Sequence, residues 1–452
     1  MPFMEFFDLH FNSFYRAFRM YKRKRNRSFS DRRHHHKRRH QEVHPRPHLH
    51  RRRGSWSSHS SVSDTGSPQH ARSLSGSECS RETSKDEIIH FDWYRGMYLN
   101  KRYEVCRKLG DGTFGRVLEC SDRLDRDGPR VAVKVIRDVE RYVENAQVEA
   151  KILERINSIR RDFKEKHAGG RGIVRLYDVF THGRFFCMSF ERLGKTLYEV
   201  IQMNNHAGFY MFDIQVIARE LLETLDFLHS VCGLIHTDIK MENVMLTGYD
   251  FMTCEAPARC GKEGSFQRPI LLSVETRHRS VRLIDFGNGV FSKDHHSTII
   301  NTRQYRSPEV ILEQGWNEKS DMWSVACVIA EMYTGELLFP THANGEHLAM
   351  IERVSDETFT PEYFTHSPRD VRQTYQNAVS GYLDWPNANS TRESLRAVQE
   401  DCFPLSRIFH RYPALHELMS KLIRIDSSRR YSARKCLDYC MFVCGRNFPI
   451  TE

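Results

Sequence analysis

Residues 236–243 read "HTDIKMEN", placing a carboxylate (Asp238), an ammonium (Lys240) and a carboxamide (Asn243) within a six-residue span. A second carboxylate, Asp285 in "DFG", follows 42 residues after Asn243. This set suits phosphoryl transfer. Asp238 would accept or orient the proton of an attacking hydroxyl, and Lys240 would steady the transferring group. Asn243 and Asp285 would ligate Mg²⁺, a hard ion that takes few protein oxygens and keeps phosphate and water as its other ligands.

A phosphate donor needs its own cradle. "LGDGTFGRV" (Leu109, Gly110, Asp111, Gly112, Thr113, Phe114, Gly115, Arg116, Val117) contains GxGxxGxV. Glycine-rich turns also serve dinucleotide sites and plain hairpins. Alternating strand-like residues flank this one on both sides, whereas the dinucleotide fingerprint opens a helix, so a hairpin covering ATP phosphates is expected. Lys134, nineteen residues after Gly115, ends the apolar run "VAVK". An orienting carboxylate is available in Glu149, on the helical run "NAQVEAKILERI". Alone each would read as structural; together they form a matched pair. "SPE" (Ser307 to Glu309) lies beyond Asp285, and Arg430 is an expected partner for Glu309. Thr302, seven residues before Glu309, is expected to hydrogen-bond within the catalytic site rather than to be a regulatory phosphosite.

In this order and at these intervals, the motifs resemble those of protein kinases. Within them the chain is similar to the LAMMER, or CDC-like, kinases named for EHLAMMER. Residues 346–353 read "EHLAMIER", and Ile351 is the single departure. Taken alone, that octapeptide is an amphipathic helix with a packing role. "GDGTFGRVLEC", "HTDIKMEN" and "HHSTIINTRQYRSPEVIL" agree with the family, although "YRSPE" also occurs in DYRK kinases. Met241, Gln304 and Ser307 stand where proline, histidine and alanine are usual.

The resemblance implies ATP and Mg²⁺ as cofactors, with dual specificity. It implies Ser/Thr transfer to arginine/serine-rich splicing factors and autophosphorylation that includes tyrosine. Carboxylates near the cleft would suit such substrates, and Glu242, Glu199 and Asp294 are candidates. It also implies Phe190 as gatekeeper, the backbones of Glu191 and Leu193 as adenine partners, Val117 and Ala132 as roof, and Leu246 with Ile284 as floor. Thr237 occupies the position where many kinases carry an arginine held by an activation-segment phosphate. Without that cation the segment is expected to order without an upstream kinase. A DYRK-like or SR-protein-kinase-like enzyme is the rival within the class.

The elements that must position these groups change character along the chain. From Tyr103 the texture is β-rich, with strands expected over 173–180 and 184–190. After about residue 196 helices dominate, at 212–229, 321–334, 346–354 and 412–424. This predicts an α+β class, the bilobal eukaryotic protein kinase fold with a small β-rich N-lobe and a larger helical C-lobe. The domain is expected over 91–452, with a core of about 103–442 and an irregular insert at about 248–280.

The first 90 residues hold 19 Lys+Arg against nine Asp+Glu, so the formal net charge of +10 lies wholly there. With runs such as "KRKRNR" and "RRHHHKRRH", this segment reads as a disordered basic, His/Arg/Ser-rich tail. Its basic clusters suit importin or RNA contact and a nuclear location, with cytoplasm as a second compartment. A solvated linker is the plainer reading, and a scaffold acting through the tail a rival of another class. Phe7, Phe11, Phe14 and Phe18 recur at helical spacing, as in an interfacial, presequence or docking helix. No run of about 18 apolar residues occurs, so no membrane span is expected. The 12 cysteines lack CxxC pairs, and Cys436, Cys440 and Cys444 read as core packing in a reduced setting. A monomer is expected.

Overall fold

The computed structural model describes residues 90–162, 168–206, 208–248, 280–294 and 297–444. The basic tail, its aromatic helix and all but the two end residues of the expected insert lie outside the described residues.

Six strands form an antiparallel sheet in the order β1-β2-β3-β4-β6-β5. They are β1 (Tyr98–Leu99), β2 (Tyr103–Asp111), β3 (Gly115–Asp122), β4 (Val131–Ile136), β5 (Leu176–His182) and β6 (Phe185–Glu191). Period-two alternation decides what each strand offers. Val131, Val133 and Val135 enter a core shared with Leu118, Cys120 and Cys187, which leaves Ala132 and Lys134 on the opposite, cleft-facing side. Helix α1 (Glu140–Asp162) packs on β4, β5 and β6. Its buried stripe includes Ile152, Leu153 and Ile156, and Glu149 belongs to the same stripe.

The second lobe is helical. α2 (Leu197–Met203) is capped by a reciprocal pair in which the Thr196 hydroxyl accepts from the Glu199 N–H and the Glu199 carboxylate accepts from the Thr196 N–H. α3 (Met211–Asp226) packs against α5 (Lys319–Thr334). Every residue of α5 from Ser320 to Tyr333 is buried, as expected of a helix at a lobe's centre. The short α4 (Pro308–Ile311) precedes it, and α6 (Asn344–Ser355) contains the EHLAMIER residues. Shorter helices follow between Pro361 and Cys444.

Two small ribbons present the chemistry-bearing loops: β7 (Leu234–Ile235) pairs with β10 (Val290–Phe291), and β8 (Val244–Leu246) with β9 (Val281–Leu283). The catalytic loop runs between β7 and β8, and Asp285 follows β9. The architecture is the bilobal one expected from the sequence.

Candidate active site

A cavity of about 570 Å³ lies between the lobes, well within the range of small-molecule sites. Its roof is the glycine-rich hairpin joining β2 to β3. The Gly112 N–H donates to the Gly115 carbonyl at 2.8 Å and closes the turn. A Cβ on Gly115 would lie 2.2 Å from the Val135 carbonyl oxygen, so only glycine lets the hairpin press this closely onto β4. Leu109, Gly110, Phe114, Val117, Ala132, Phe190, Leu193 and Ile284 also line the cavity. Glu191 lines it too, but its N–H already donates to the Arg175 carbonyl at 3.1 Å, which leaves the Glu191 carbonyl as the group it can offer a purine.

Three sequence expectations need correction. Leu246 does not line the cavity; Met245 does. Met245 and Leu246 are neighbours on β8 and so face opposite ways, and it is Met245 that turns to the cavity. Asp111 is drawn away from the cavity by Lys108 and Arg116, each 2.6 Å from one of its carboxylate oxygens. Thr113 is exposed at the hairpin turn and does not line the cavity. Arg107, Arg192, Lys195 and Val174 line it without having been marked by any motif.

At the inner end, Lys134 Nζ lies 2.8 Å from Glu149 Oε2, with Glu149 buried. Burial works against the ammonium, yet Glu149 and Asp285 together outweigh it and raise the Lys134 pKa above its ordinary value. Lys134 therefore stays a fixed cation where a phosphate would sit.

Asp238, Lys240 and Thr302 form a hydrogen-bonded group beside the cavity. Lys240 Nζ donates to Asp238 Oδ2 at 2.8 Å and to Thr302 Oγ1 at 3.1 Å. The Thr302 hydroxyl donates to Asp238 Oδ1 at 2.7 Å. Asn243 joins the two regions: it lines the cavity, and its Nδ2 donates to the Asp238 carbonyl at 2.8 Å. That bond turns the Asn243 carboxamide oxygen, its cation-binding atom, away from the Asp238 backbone. Burial opposes the charge on Asp238, but Lys240 and Thr302 prevail and hold its pKa below the usual carboxylate value. Asp238 is an anion throughout the neutral range, suited to orienting a hydroxyl and receiving its proton late in transfer.

The loop that carries Asp238 is held in an uncommon conformation. Thr237 has φ +70°, unusual for a β-branched residue, and Asp285 has φ +63°. Fully buried Asp321 imposes the first, accepting from the His236 N–H at 2.8 Å and the Thr237 N–H at 2.9 Å. His229 Nε2 lies 2.9 Å from the same carboxylate. His236 in turn approaches the Ile284 carbonyl at 3.0 Å and meets the Phe286 ring edge-on at 4.9 Å. The position of Asp285 is thereby coupled to that of Asp238.

Asn243 and Asp285 place a carboxamide and a carboxylate oxygen on one cavity wall, the donor set a magnesium ion bound to a nucleotide needs. When bound, MgATP would supply the phosphoryl group and the charge that shields it. The chain's own part is to grip phosphates through Lys134 and the hairpin amides, to hold the acceptor hydroxyl at Asp238, and to exclude water beneath the glycine-rich roof.

Residues 103–442 match the family model described as "Protein kinase domain". The serine/threonine-protein kinase AFC1 of Arabidopsis thaliana is 34% identical over 372 residues, covering 81% of this chain and 76% of the relative. The dual specificity protein kinase CLK2 of Mus musculus is 34% identical over 374 residues, covering 82% of this chain and 69% of the relative. This chain belongs to the LAMMER, or CDC-like, family of protein kinases. A crystal structure described as a kinase domain superposes on this kinase with a TM-score of 0.70 at 37% identity, covering 79% of this chain and 100% of the other.

In this LAMMER kinase the naming residues are structural. Glu346 caps the approach to α6 by accepting from the Thr341 hydroxyl at 2.8 Å, and Glu352 accepts from the Phe359 N–H at 2.7 Å. Ile351 is fully buried. His347 is also fully buried, and desolvation pushes its pKa down to about 3. Glu309 and Arg430 form a bidentate pair at 2.8 and 3.0 Å that fixes the end of the activation segment. Cys436 and Cys440 are buried in packing. Among the described residues, no helix is long and apolar enough to cross a membrane.

Proposed function

We propose that this kinase transfers the γ-phosphoryl group of ATP, with Mg²⁺, to Ser/Thr of arginine/serine-rich proteins, and to tyrosine in autophosphorylation. It would thereby regulate pre-mRNA splicing in the nucleus. The observation that carries the substrate reading is acidic: exposed Glu242 stands four residues after Asp238, and Glu199 lines the cavity at its hinge end. Both can face guanidinium groups flanking an acceptor serine. The family membership and the printed name "dual specificity" of the CLK2 relative support the same reading. The basic tail suits importin or RNA contact.

The test is ATP turnover by the full chain on an Arg-Ser repeat peptide and on an acidic-flanked serine peptide, with Asp238→Asn as blank. Turnover of about 1–100 per second confined to the Arg-Ser peptide is the expected result. Preference for the acidic-flanked peptide would overturn the arginine/serine reading, and a peptide-library profile with another consensus would assign a DYRK-like or SR-protein-kinase-like enzyme instead. Nuclear location is checked by imaging the tagged chain with and without residues 1–90.

A further inference from the structure

Two guanidinium groups converge on one carboxylate at the outer edge of the cavity. Glu119, on β3, is 8% exposed, and its Oε2 lies 2.8 Å from Arg107 on β2 and 2.8 Å from Arg192 in the segment joining the lobes. Arg107 and Arg192 both line the cavity. The three side chains thus tie both strands of the glycine-rich hairpin to the segment that passes beside a bound purine.

The sheet needs such a tie here. The β2–β3 register shifts between Val105 and Arg107 and again between Lys108 and Gly110, so the ladder is interrupted on both sides of Arg107. An interrupted ladder leaves the root of the hairpin less firmly positioned than the regular β3–β4 pairing behind it. Within the cluster one carboxylate faces two cations, so it is joined by charge attraction on both sides of Glu119.

We propose that Glu119 is a positioning residue for the nucleotide: through Arg192 and Arg107 it clamps the root of the glycine-rich hairpin to the hinge and sets how tightly ATP and ADP are held. This rests on the nucleotide reading of the cavity. The two arms of the clamp differ in strength. The Arg192 side chain is 22% exposed and that of Arg107 57%, so solvent screens the Arg107 contact more and the hinge contact dominates.

The test compares the full-length kinase with Glu119→Gln, Arg192→Gln, Arg107→Gln and the Glu119→Gln/Arg192→Gln double variant. Its readouts are kcat, KM for ATP, the ADP dissociation constant by fluorescent-nucleotide displacement, and Tm. Glu119→Gln and Arg192→Gln are expected to raise KM and the ADP dissociation constant together by about three- to tenfold, with kcat held within about twofold. Arg107→Gln should do less, and the double variant no more than Glu119→Gln alone. Unchanged nucleotide constants alongside a lowered Tm would reduce the cluster to a stability element and overturn the proposal, as would effects that add in the double variant. If Glu119→Gln does not fold, the two arginine variants decide, since each leaves Glu119 one partner. Failure of the wild-type chain to displace the fluorescent nucleotide with ATP would instead overturn the nucleotide reading, and it would be seen before any variant is compared.

Discussion

The Thr302 hydroxyl donates to Asp238 Oδ1 at 2.7 Å, and the Thr302 N–H reaches the same oxygen at 3.2 Å. The other carboxylate oxygen is held by Lys240, so one side chain of the activation segment and one of the catalytic loop orient Asp238 together. Thr302→Val removes a hydrogen bond to a charged group and is expected to lower kcat about 10- to 100-fold. KM for ATP should barely move, because Thr302 does not line the nucleotide cavity. Thr302→Ser should restore most of the rate; equal loss in both variants would remove the hydroxyl from the account.

The activation segment is tied down by neutral groups at Thr237. The Thr237 hydroxyl donates to the Asn288 carbonyl at 2.8 Å, and its carbonyl accepts from the Asn301 N–H at 3.1 Å and Asn301 Nδ2 at 2.9 Å. Asn301 Nδ2 also approaches Ser324 Oγ at 3.3 Å on α5. Arg306 donates to the Ile300 and Asn301 carbonyls at 2.9 Å each. No phosphate is needed to complete any of these bonds. Chain made in bacteria and treated with phosphatase should keep kcat/KM within about threefold of the untreated sample, a change of under 1 kcal/mol in transition-state stabilisation. Loss of nearly all turnover on dephosphorylation, restored by an upstream kinase, would contradict this.

What was legible in the sequence follows from which constraints are local. Lys134 and Glu149 could be paired in advance because both sit where the kinase pattern places them, and strand alternation and the buried stripe of the helix are what bring them together in the fold. The Glu309–Arg430 pair, 121 residues apart, was legible only because both members sit in recognisable motifs. Leu246 was misplaced by one residue where a three-residue strand gives too little alternation to set its own phase. The Arg107–Glu119–Arg192 cluster left no trace, since it depends on a hinge residue outside any regular element meeting two strands. Asp111 and Thr113 fall within a motif whose glycines matter for backbone reach, and nothing in the motif tells which way the intervening side chains turn.

The Glu309–Arg430 pair is buried on both sides, and Arg430 also donates to the Lys319 and Arg424 carbonyls at 2.8 Å each. Arg430→Met leaves the Glu309 carboxylate buried without its cation and is expected to cost about 3–5 kcal/mol of stability. Replacing both residues by apolar side chains of similar volume should recover much of that loss, because the desolvation penalty of both charges disappears. Chemical denaturation of the single and double variants checks this; a double variant no more stable than Arg430→Met would mean that the pair is net stabilising.

Glu331 on α5 is 4% exposed and accepts from the Tyr305 hydroxyl at 2.5 Å. Burial is the main cause that pushes its pKa from 4.5 up to about 7; the Tyr305 bond opposes the shift and nearby Glu242 adds to it. Between these two values the folded chain holds a proton that the unfolded chain has released. Stability from this source is therefore full below pH 4.5 and is lost as pH rises through 7. The loss is on the order of 3 kcal/mol. Glu331→Gln keeps an acceptor for Tyr305 and cannot titrate, so relative to wild type it should gain stability between pH 5 and pH 8. Denaturant melts of both proteins at the two pH values decide it, and a difference between them that does not change with pH would show that Glu331 titrates normally.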